Sequence, residues 1–119
     1  MSDTSTAFDA RKVGDGVSII DVHGDVSPEC EDALSDAFAT ASEDATAGVV
    51  FNFTGLDYMN SGGIGLLVTL LVRAQRSKQQ LAAFGLSDHY AQIFQLTRLD
   101  DAIGIHDTED EAIASLTTA

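Results

Sequence analysis

The sequence predicts an α/β fold built on a mostly parallel sheet. Short apolar runs, which favour strands, alternate with longer segments whose apolar residues recur every three or four positions, as on one face of a helix. Such alternation favours parallel strands joined by right-handed crossovers. A length of 119 residues fits one domain, and a hydrophobic content of 45% supports a core. We therefore expect about four or five strands and about four helices.

The N-terminal region divides into a mostly polar stretch and a predicted hairpin. Residues 1–6 are expected to form a flexible N-terminus, so that a single domain spans residues 7–119. Residues 7–13 and 17–23 both have the composition of strands, and Gly14-Asp15-Gly16 between them is a turn signal. These two strands are predicted to pair as an antiparallel hairpin.

A helix, a central strand and a second helix are predicted next. Ser27 is a good N-cap and Pro28 is tolerated in a first turn, so the first helix is predicted to begin there. Its apolar residues have helical spacing: they are Cys30, Ala33, Leu34, Ala37, Phe38 and Ala41. Residues 49–53 form an apolar run typical of a strand buried on both faces. Residues 54–60 are predicted to be a connection, and residues 61–78 a helix.

The alternation of strands and helices continues to the C-terminus. Residues 81–84 are predicted to be a buried strand, and Ser87 is predicted to cap a third helix. Ile103–His106 is expected to be the last strand. Thr108, with Glu111 three residues later, has the pattern of a capping box, which predicts a final helix.

The charge balance excludes several classes of partner. Six basic residues against nineteen acidic ones give a net charge of −13 and a pI near 4.1. Such a chain repels nucleic acid and anionic lipid headgroups, so we expect it to bind neither. The apolar stretch at residues 66–72 is far shorter than the roughly 20 residues of a membrane span. The single cysteine, Cys30, favours a reducing compartment, and a cytoplasmic location is predicted.

The motifs of common enzyme classes are incomplete. A Walker phosphate loop requires Lys followed by Ser or Thr after its glycines, where this chain has Ile64-Gly65-Leu66. A nucleophile elbow around Ser61 requires a glycine two residues earlier, where the chain has Met59. The three histidines are dispersed along the chain, so no metal site is expected. The sequence therefore lacks the motifs of these enzyme classes, and no metal site is predicted.

Residues 52–67 carry the strongest functional signal. They read as a strand end, a loop, and then Ser61 followed by glycines at the start of a helix. In a parallel α/β sheet such a loop lies at the carboxyl ends of the strands, where ligands and partners bind. The first helical turn exposes unpaired N–H groups and the positive end of the helix dipole, and such a site accommodates a phosphate.

This segment resembles the signature of STAS domains of the bacterial anti-sigma factor antagonist type. It reads Asn-Phe-Thr-Gly-Leu-Asp-Tyr-Met-Asn-Ser-Gly-Gly-Ile-Gly, where the family usually has Asp-x-Ser-Gly-Leu-x-Phe-Met-Asp-Ser-Ser/Thr-Gly-Leu-Gly. Residues 24–27 resemble the family's turn before the first helix, and residues 84–87 and 94–99 resemble its later strand and third helix. The resemblance covers nearly the whole chain and implies a STAS-like fold.

The resemblance implies a binding switch that is not an enzyme and needs no cofactor. In this family the unphosphorylated antagonist binds an anti-sigma factor, commonly a serine kinase, and the sigma factor is released. The kinase phosphorylates the serine that follows Met-Asp, binding is lost, and a serine phosphatase reverses the change. By position that serine is Ser61. A phosphate adds roughly −1.5 to −2 charge, which would disrupt a closely packed interface.

The resemblance also indicates the residues that would contact the partner, and the chain departs from the family at some of them. The expected contacts are Asp25, Ser27, Tyr58, Met59, Asn60, Gly62, Gly63 and Ile64. Asn60 and Ser27 replace aspartates, Gly62 replaces Ser or Thr, and Asn52 replaces the strand aspartate. If the kinase requires a carboxylate at position 60, the chain is instead a constitutive binder or a scaffold in a signalling assembly. A monomer or weak homodimer is expected.

Two further features of the sequence each admit two interpretations. Residues 64–72 are apolar nearly all round the helix, which fits either deep burial or an exposed apolar patch for a partner. The helix start with its glycines could also serve a nucleotide sensor, although we expect no nucleotide to bind. The bases that follow, Arg73, Arg76 and Lys78, complement the helix dipole.

Overall fold

The structure is a computed structural model, and it describes residues 7–14, 16–43 and 46–117. Its strands are β1 (Ala7–Gly14), β2 (Val17–Val26), β3 (Gly48–Met59), β4 (Gln80–Phe84) and β5 (Ile103–His106). Its helices are α1 (Glu31–Ala41), α2 (Ser61–Arg76), α3 (Asp88–Leu96) and α4 (Glu109–Thr117), with 3-10 turns at Pro28–Cys30 and Leu99–Asp101. The predicted flexible N-terminus, residues 1–6, and Asp15 of the predicted turn lie outside the described residues.

The sheet confirms the predicted α/β class. Its order is β1-β2-β3-β4-β5, in which β1 is antiparallel to β2 and every other neighbouring pair is parallel. Because each right-handed crossover moves to the next strand in the same direction, α1, α2 and α3 lie on one face. They bury Phe38, Leu67 and Phe94 in the larger core cluster, whereas α4 buries Ala112 in a smaller cluster on the opposite face.

The middle strand, β3, is buried on both faces, as its apolar run predicts. Val49, Phe51 and Phe53 pack into the larger cluster, and Val50 packs into the smaller one. The Phe53 ring also meets the ring of Phe94 edge to face, with 6.1 Å between the centroids. Each of these side chains contributes roughly 1.5–3 kcal/mol through burial, so β3 anchors both layers of helices.

The prediction of a connection at residues 54–60 is wrong, because β3 continues to Met59. β2 likewise continues to Val26, and the two strands stay paired in parallel to their ends. The register shifts twice along this extension, and Gly24 there has a φ of 85°, which favours glycine. Pairing between the two long strands thus overrides the weak strand propensity of the glycines and aspartates in this extension.

The ends of the first two helices also differ from the prediction. Pro28–Cys30 is a 3-10 turn that precedes α1, and the side chain of Ser27 makes no capping hydrogen bond. The predicted capping role of Ser27 is therefore wrong. α2 ends at Arg76, and Lys78 has a φ of 59°, a left-handed conformation that cannot continue a helix.

The predicted starts of the last two helices are confirmed. The Ser87 hydroxyl accepts a hydrogen bond from the N–H of Tyr90 (3.3 Å), and the Thr108 hydroxyl accepts one from the N–H of Glu111 (3.2 Å). Both side chains satisfy N–H groups that the first turn of a helix leaves unpaired. In the part of the chain that the structure describes, no helix is long and apolar enough to span a membrane.

A polar network ties α4 to the first three strands. Arg11 on β1 donates hydrogen bonds to Asp21 on β2 (2.8 and 3.1 Å) and to Glu109 on α4 (2.9 Å). The Asn52 amide on β3 donates to Asp21 (2.8 Å), and its own oxygen accepts from Thr54. An aspartate at position 52 would place two carboxylates in contact, whereas the amide of Asn52 donates a hydrogen bond to Asp21.

We predict that Arg11→Met lowers the free energy of unfolding at pH 7 by up to about 1 kcal/mol, because the ion pair is partly exposed. The hydrogen bonds from Arg11 hold the pKa of Asp21 below its usual value. This stabilisation is therefore complete above the unfolded-state pKa, near 4, and is lost as the pH falls through the lower folded-state value.

Denaturant unfolding of both proteins between pH 7 and pH 2 checks this prediction. The difference between parent and variant should shrink below about pH 4, where Asp21 of the unfolded chain becomes protonated, and should be lost once the folded-state carboxyl is protonated as well. Arg98→Met removes one positive charge elsewhere and serves as the control. A deficit for Arg11→Met that stays constant over the whole range would contradict the assigned role of Asp21.

Candidate functional site

Asn60 joins the end of the sheet to the start of α2. Its side-chain oxygen accepts a hydrogen bond from the N–H of Gly63 (2.8 Å), and its carbonyl accepts one from Ile64 (3.0 Å). Its own N–H donates to the carbonyl of Val26 at the end of β2 (3.3 Å). Asn60 is thus a side-chain N-cap that also binds the neighbouring strand, and Ser61 is the first residue of the helix.

The two glycines after Ser61 have no side chains, so the first turn of α2 packs closely against the end of β2 and the 3-10 turn. A Cβ on Gly63 would lie 2.5 Å from the carbonyl oxygen of Val26, and one on Gly62 would lie 2.3 Å from Cγ of Pro28. Neither distance is possible without movement of the backbone or of a rigid ring. Close packing at residues 62 and 63 therefore fixes where Ser61 lies.

Met59 and Tyr90 stabilise the end of β3, on the other side of the turn that leads into α2. The Met59 N–H donates a hydrogen bond to the hydroxyl of Tyr90 on α3 (2.8 Å). The side chain of Met59 is 3% exposed, and Tyr90 is also buried. The end of β3 is therefore bound to α3 as well as to β2, and the polar tip of Tyr90 is satisfied.

The structure brings most of the expected contact residues to one edge of the sheet. Ser61 and Asp25 are exposed, and Tyr58, which is paired with Asp25 in the β2–β3 register, is 56% exposed. The half-buried members of this set are Ser27, Asn60, Gly62 and Ile64. Met59 and Gly63 are buried, so their side of the turn faces the core and they support the surface from beneath.

Two residues that shape the site have no local signal in the sequence. Pro28 reads as a residue of a helix start, and Tyr90 as an apolar position of the third helix. Their contacts with Gly62 and Met59 join segments far apart in the chain. Only the packing of the 3-10 turn and of α3 against the start of α2 reveals them.

The arrangement presents a hydroxyl but no metal centre. Among the described residues there is no cluster of His, Cys, Asp or Glu that could hold a metal ion. Ser61 lies where the N–H groups and the dipole of a 16-residue helix favour added negative charge. The Ser61 side chain is exposed at this helix start.

A family model and several curated proteins each match most of the chain. The family model of the STAS domain matches residues 10–112. The anti-sigma-B factor antagonist of Staphylococcus aureus (strain NCTC 8325 / PS 47) is 28% identical over 104 residues, which cover 87% of this chain and 88% of that protein. The family match therefore runs from the middle of β1 into the first half of α4.

Solved structures show the same fold at lower identity. An anti-sigma factor antagonist from Mycobacterium paratuberculosis superposes with a TM-score of 0.78 at 20% identity, covering 94% of each chain. The Bacillus cell fate determinant SpoIIAA in its phosphorylated form superposes with a TM-score of 0.70 at 23% identity, covering 92% of this chain and 98% of that one. At these identities the likeness establishes the fold alone.

We predict that Gly62→Ser destabilises the protein by roughly 1–3 kcal/mol, because the new Cβ must displace the ring of Pro28. Gly65→Ser is the matched control, since a Cβ at Gly65 meets nothing within 4 Å. It should be neutral or slightly stabilising through helix propensity. Denaturant unfolding measures both, and Pro28→Ala combined with Gly62→Ser should recover part of the loss. Equal effects at both glycines would contradict the packing argument.

We also predict that Asn60→Ala costs about 1 kcal/mol of unfolding free energy, because the N–H of Gly63 loses its acceptor. Asn60→Asp should retain the hydrogen bond and add a favourable charge next to the helix dipole. Its stability at pH 7 should therefore equal or exceed that of the parent. Thermal or denaturant unfolding of the two variants distinguishes the roles, and a loss as large for Asp as for Ala would refute the capping role.

Proposed function

The chain belongs to the STAS domain family, and from this we propose that it acts as an anti-sigma factor antagonist. In this role it binds an anti-sigma factor of the serine kinase type, so that a sigma factor is released, and it catalyses no reaction itself. The S. aureus relative, which carries that name and matches along most of both chains, supports the proposal. The observation that carries the switch is the exposed Ser61 at the first position of α2.

The partner would bind the edge formed by Asp25, Tyr58, Ser61 and the half-buried Ile64. Tyr58 has the properties of an interface anchor, because a largely exposed aromatic ring buries much apolar area with little loss of side-chain freedom. The backbone beneath it is held by the Tyr90 hydrogen bond and by close packing at Gly63. A rigid surface of this kind binds with a small entropic cost.

Phosphorylation of Ser61 would abolish binding by a local effect. In the free chain the added phosphate faces solvent and the positive end of the helix dipole. In the complex the same group has to be desolvated within a packed interface, and the exposed carboxylate of Asp25 lies at the same edge. The fold would remain unchanged, while the complex alone is destabilised. A serine phosphatase acting in the cytoplasm would restore binding.

Asn60 and Gly62 favour a second candidate function. Asn60 keeps the helix cap but lacks the carboxylate that the family pattern has before its serine, and Gly62 leaves Ser61 as the only hydroxyl at positions 61–63. A kinase that reads that carboxylate would modify this chain poorly. The chain would then be a constitutive interaction module or scaffold that uses the same surface.

Mass spectrometry of the protein from its native host tests the switch directly. Intact mass before and after phosphatase treatment, with peptide mapping of residues 59–66, should show a removable phosphate on Ser61. An unmodified protein under several growth conditions would favour the constitutive module instead. Both outcomes leave the STAS fold intact, so they separate the two functions from each other.

Binding measurements with the anti-sigma factor of the same organism test the interface. Ser61→Ala should bind as the unmodified parent does and resist inactivation by ATP and the kinase. Ser61→Asp should bind at least about tenfold more weakly, a loss of about 1.4 kcal/mol. Ser115→Asp makes the same chemical change on α4, on the opposite face of the sheet, and should leave affinity unchanged. Tight binding by Ser61→Asp would refute the switch.

A further inference from the structure

One exposed face of α2 forms a continuous stripe along the helix. We call it the outer stripe, and its members are Ser61, Gly65, Val68, Val72 and Arg76. They recur every three or four residues and lie opposite the buried residues Leu67 and Leu70. Val68 and Val72 are 41% and 45% exposed. The structure therefore shows both burial and exposure on this apolar helix: one side is core, and Val68 and Val72 are exposed on the other.

The middle of the outer stripe is shaped for another helix. Gly65 has no side chain, and a Cβ built there meets nothing within 4 Å, so the surface is shallow at that point. Val68 and Val72 follow at the spacing of residues that form helix–helix seams. A second helix can lie along this line with its axis close to that of α2.

Arg76 gives the outer stripe a positive end. α2 contains no acidic residue, although the chain has a net charge of −13. The other arginine of its last turn, Arg73, points to α1, where it donates a hydrogen bond to Ser35 and lies over the ring of Phe38. The 3-10 turn that packs on the start of α2 carries the exposed carboxylate of Glu29. The beginning of α1, beside the first half of α2, carries those of Glu31 and Asp32, and Glu31 lines a shallow pocket with Leu66 and Thr69.

The positive and negative parts of this surface would complement each other in a symmetric pair of chains. Two copies related by a two-fold axis across α2 would run their outer stripes antiparallel, with Val68 of one opposite Val72 of the other. Arg76 of each copy would then lie over the acidic start of α1 of the other, and each contact would occur twice. The two helix dipoles would also be opposed, which is the favourable arrangement.

We propose that a second copy of this chain binds the outer stripe of α2. The two chains would form a two-fold symmetric dimer in which the α2 helices run antiparallel. A partner that is acidic throughout would match Arg76 but would repel the carboxylates at the other end of the face, so the two-ended pattern favours self-association. One helix face is a small interface, and two chains of charge −13 repel each other. The dimer is therefore weak, with a Kd of roughly 10–100 µM.

Sedimentation equilibrium from about 5 to 500 µM tests the proposal. The parent should show a reversible monomer–dimer equilibrium, and Val68→Asp should raise the dissociation constant at least about tenfold. Leu96→Asp is the matched control, because Leu96 on α3 is 76% exposed and lies outside the outer stripe. Circular dichroism should show that both variants stay folded, since both side chains are exposed in the parent.

A charge exchange tests the predicted pairing of the two ends. Arg76→Glu should weaken the dimer, and adding Glu31→Arg in the same chain should restore it, because the two side chains face each other across the two-fold axis. Disulfide formation tests the orientation. A mixture of Val68→Cys and Val72→Cys chains should cross-link faster than either variant alone in the antiparallel arrangement.

Several results would overturn this inference. The first is a parent that remains monomeric up to 500 µM, and the second is a dimer that Val68→Asp leaves intact. Fastest cross-linking of Val68→Cys with itself would instead indicate a parallel pair. If the parent is monomeric and Val68→Asp loses affinity for the anti-sigma factor, that protein and not a second copy occupies the outer stripe.

Discussion

The parallel pairing of β2 and β3 continues to the last residue of each strand, and the whole candidate site depends on it. Val26 and Met59 end side by side, and the N–H of Asn60 donates to the carbonyl of Val26 immediately beyond. No flexible loop separates β3 from α2, so the position of Ser61 relative to the sheet is fixed. A flexible loop at the same positions would present the same hydroxyl in many orientations and bind a partner with a larger entropic cost.

At this edge of the sheet, the residues that hold the turn in place differ from those that are exposed at its surface. Tyr90, Gly63 and Met59 are buried or closely packed, and they hold the turn from below. Tyr58 and Ser61 are exposed and carry little of the fold's stability. Because the groups that a partner would contact are not those that hold the turn, the proposed phosphorylation of Ser61 would alter binding while the domain remains folded.

Most of the fold could be predicted from the sequence, because the spacing of apolar residues indicates which side chains are buried. The apolar run of residues 49–53 and the caps at Ser87 and Thr108 indicate elements whose determinants are local. The prediction was wrong at residues 54–59, which form the second half of β3 although Gly55 and Asp57 favour turns. Their strand conformation depends on hydrogen bonds to β2, a segment about thirty residues earlier, and no local preference encodes that pairing.

The sequence by itself determined the fold class, the family resemblance and the position of Ser61 at a helix start, since each depends on residue types at short spacing. Only the tertiary structure decided that Met59 is buried, that Pro28 requires a glycine at position 62, and that Val68 and Val72 face outward. Each of these facts concerns contacts between elements distant in the chain. Such contacts depend on how helices and strands pack in three dimensions, which short-range patterns do not specify.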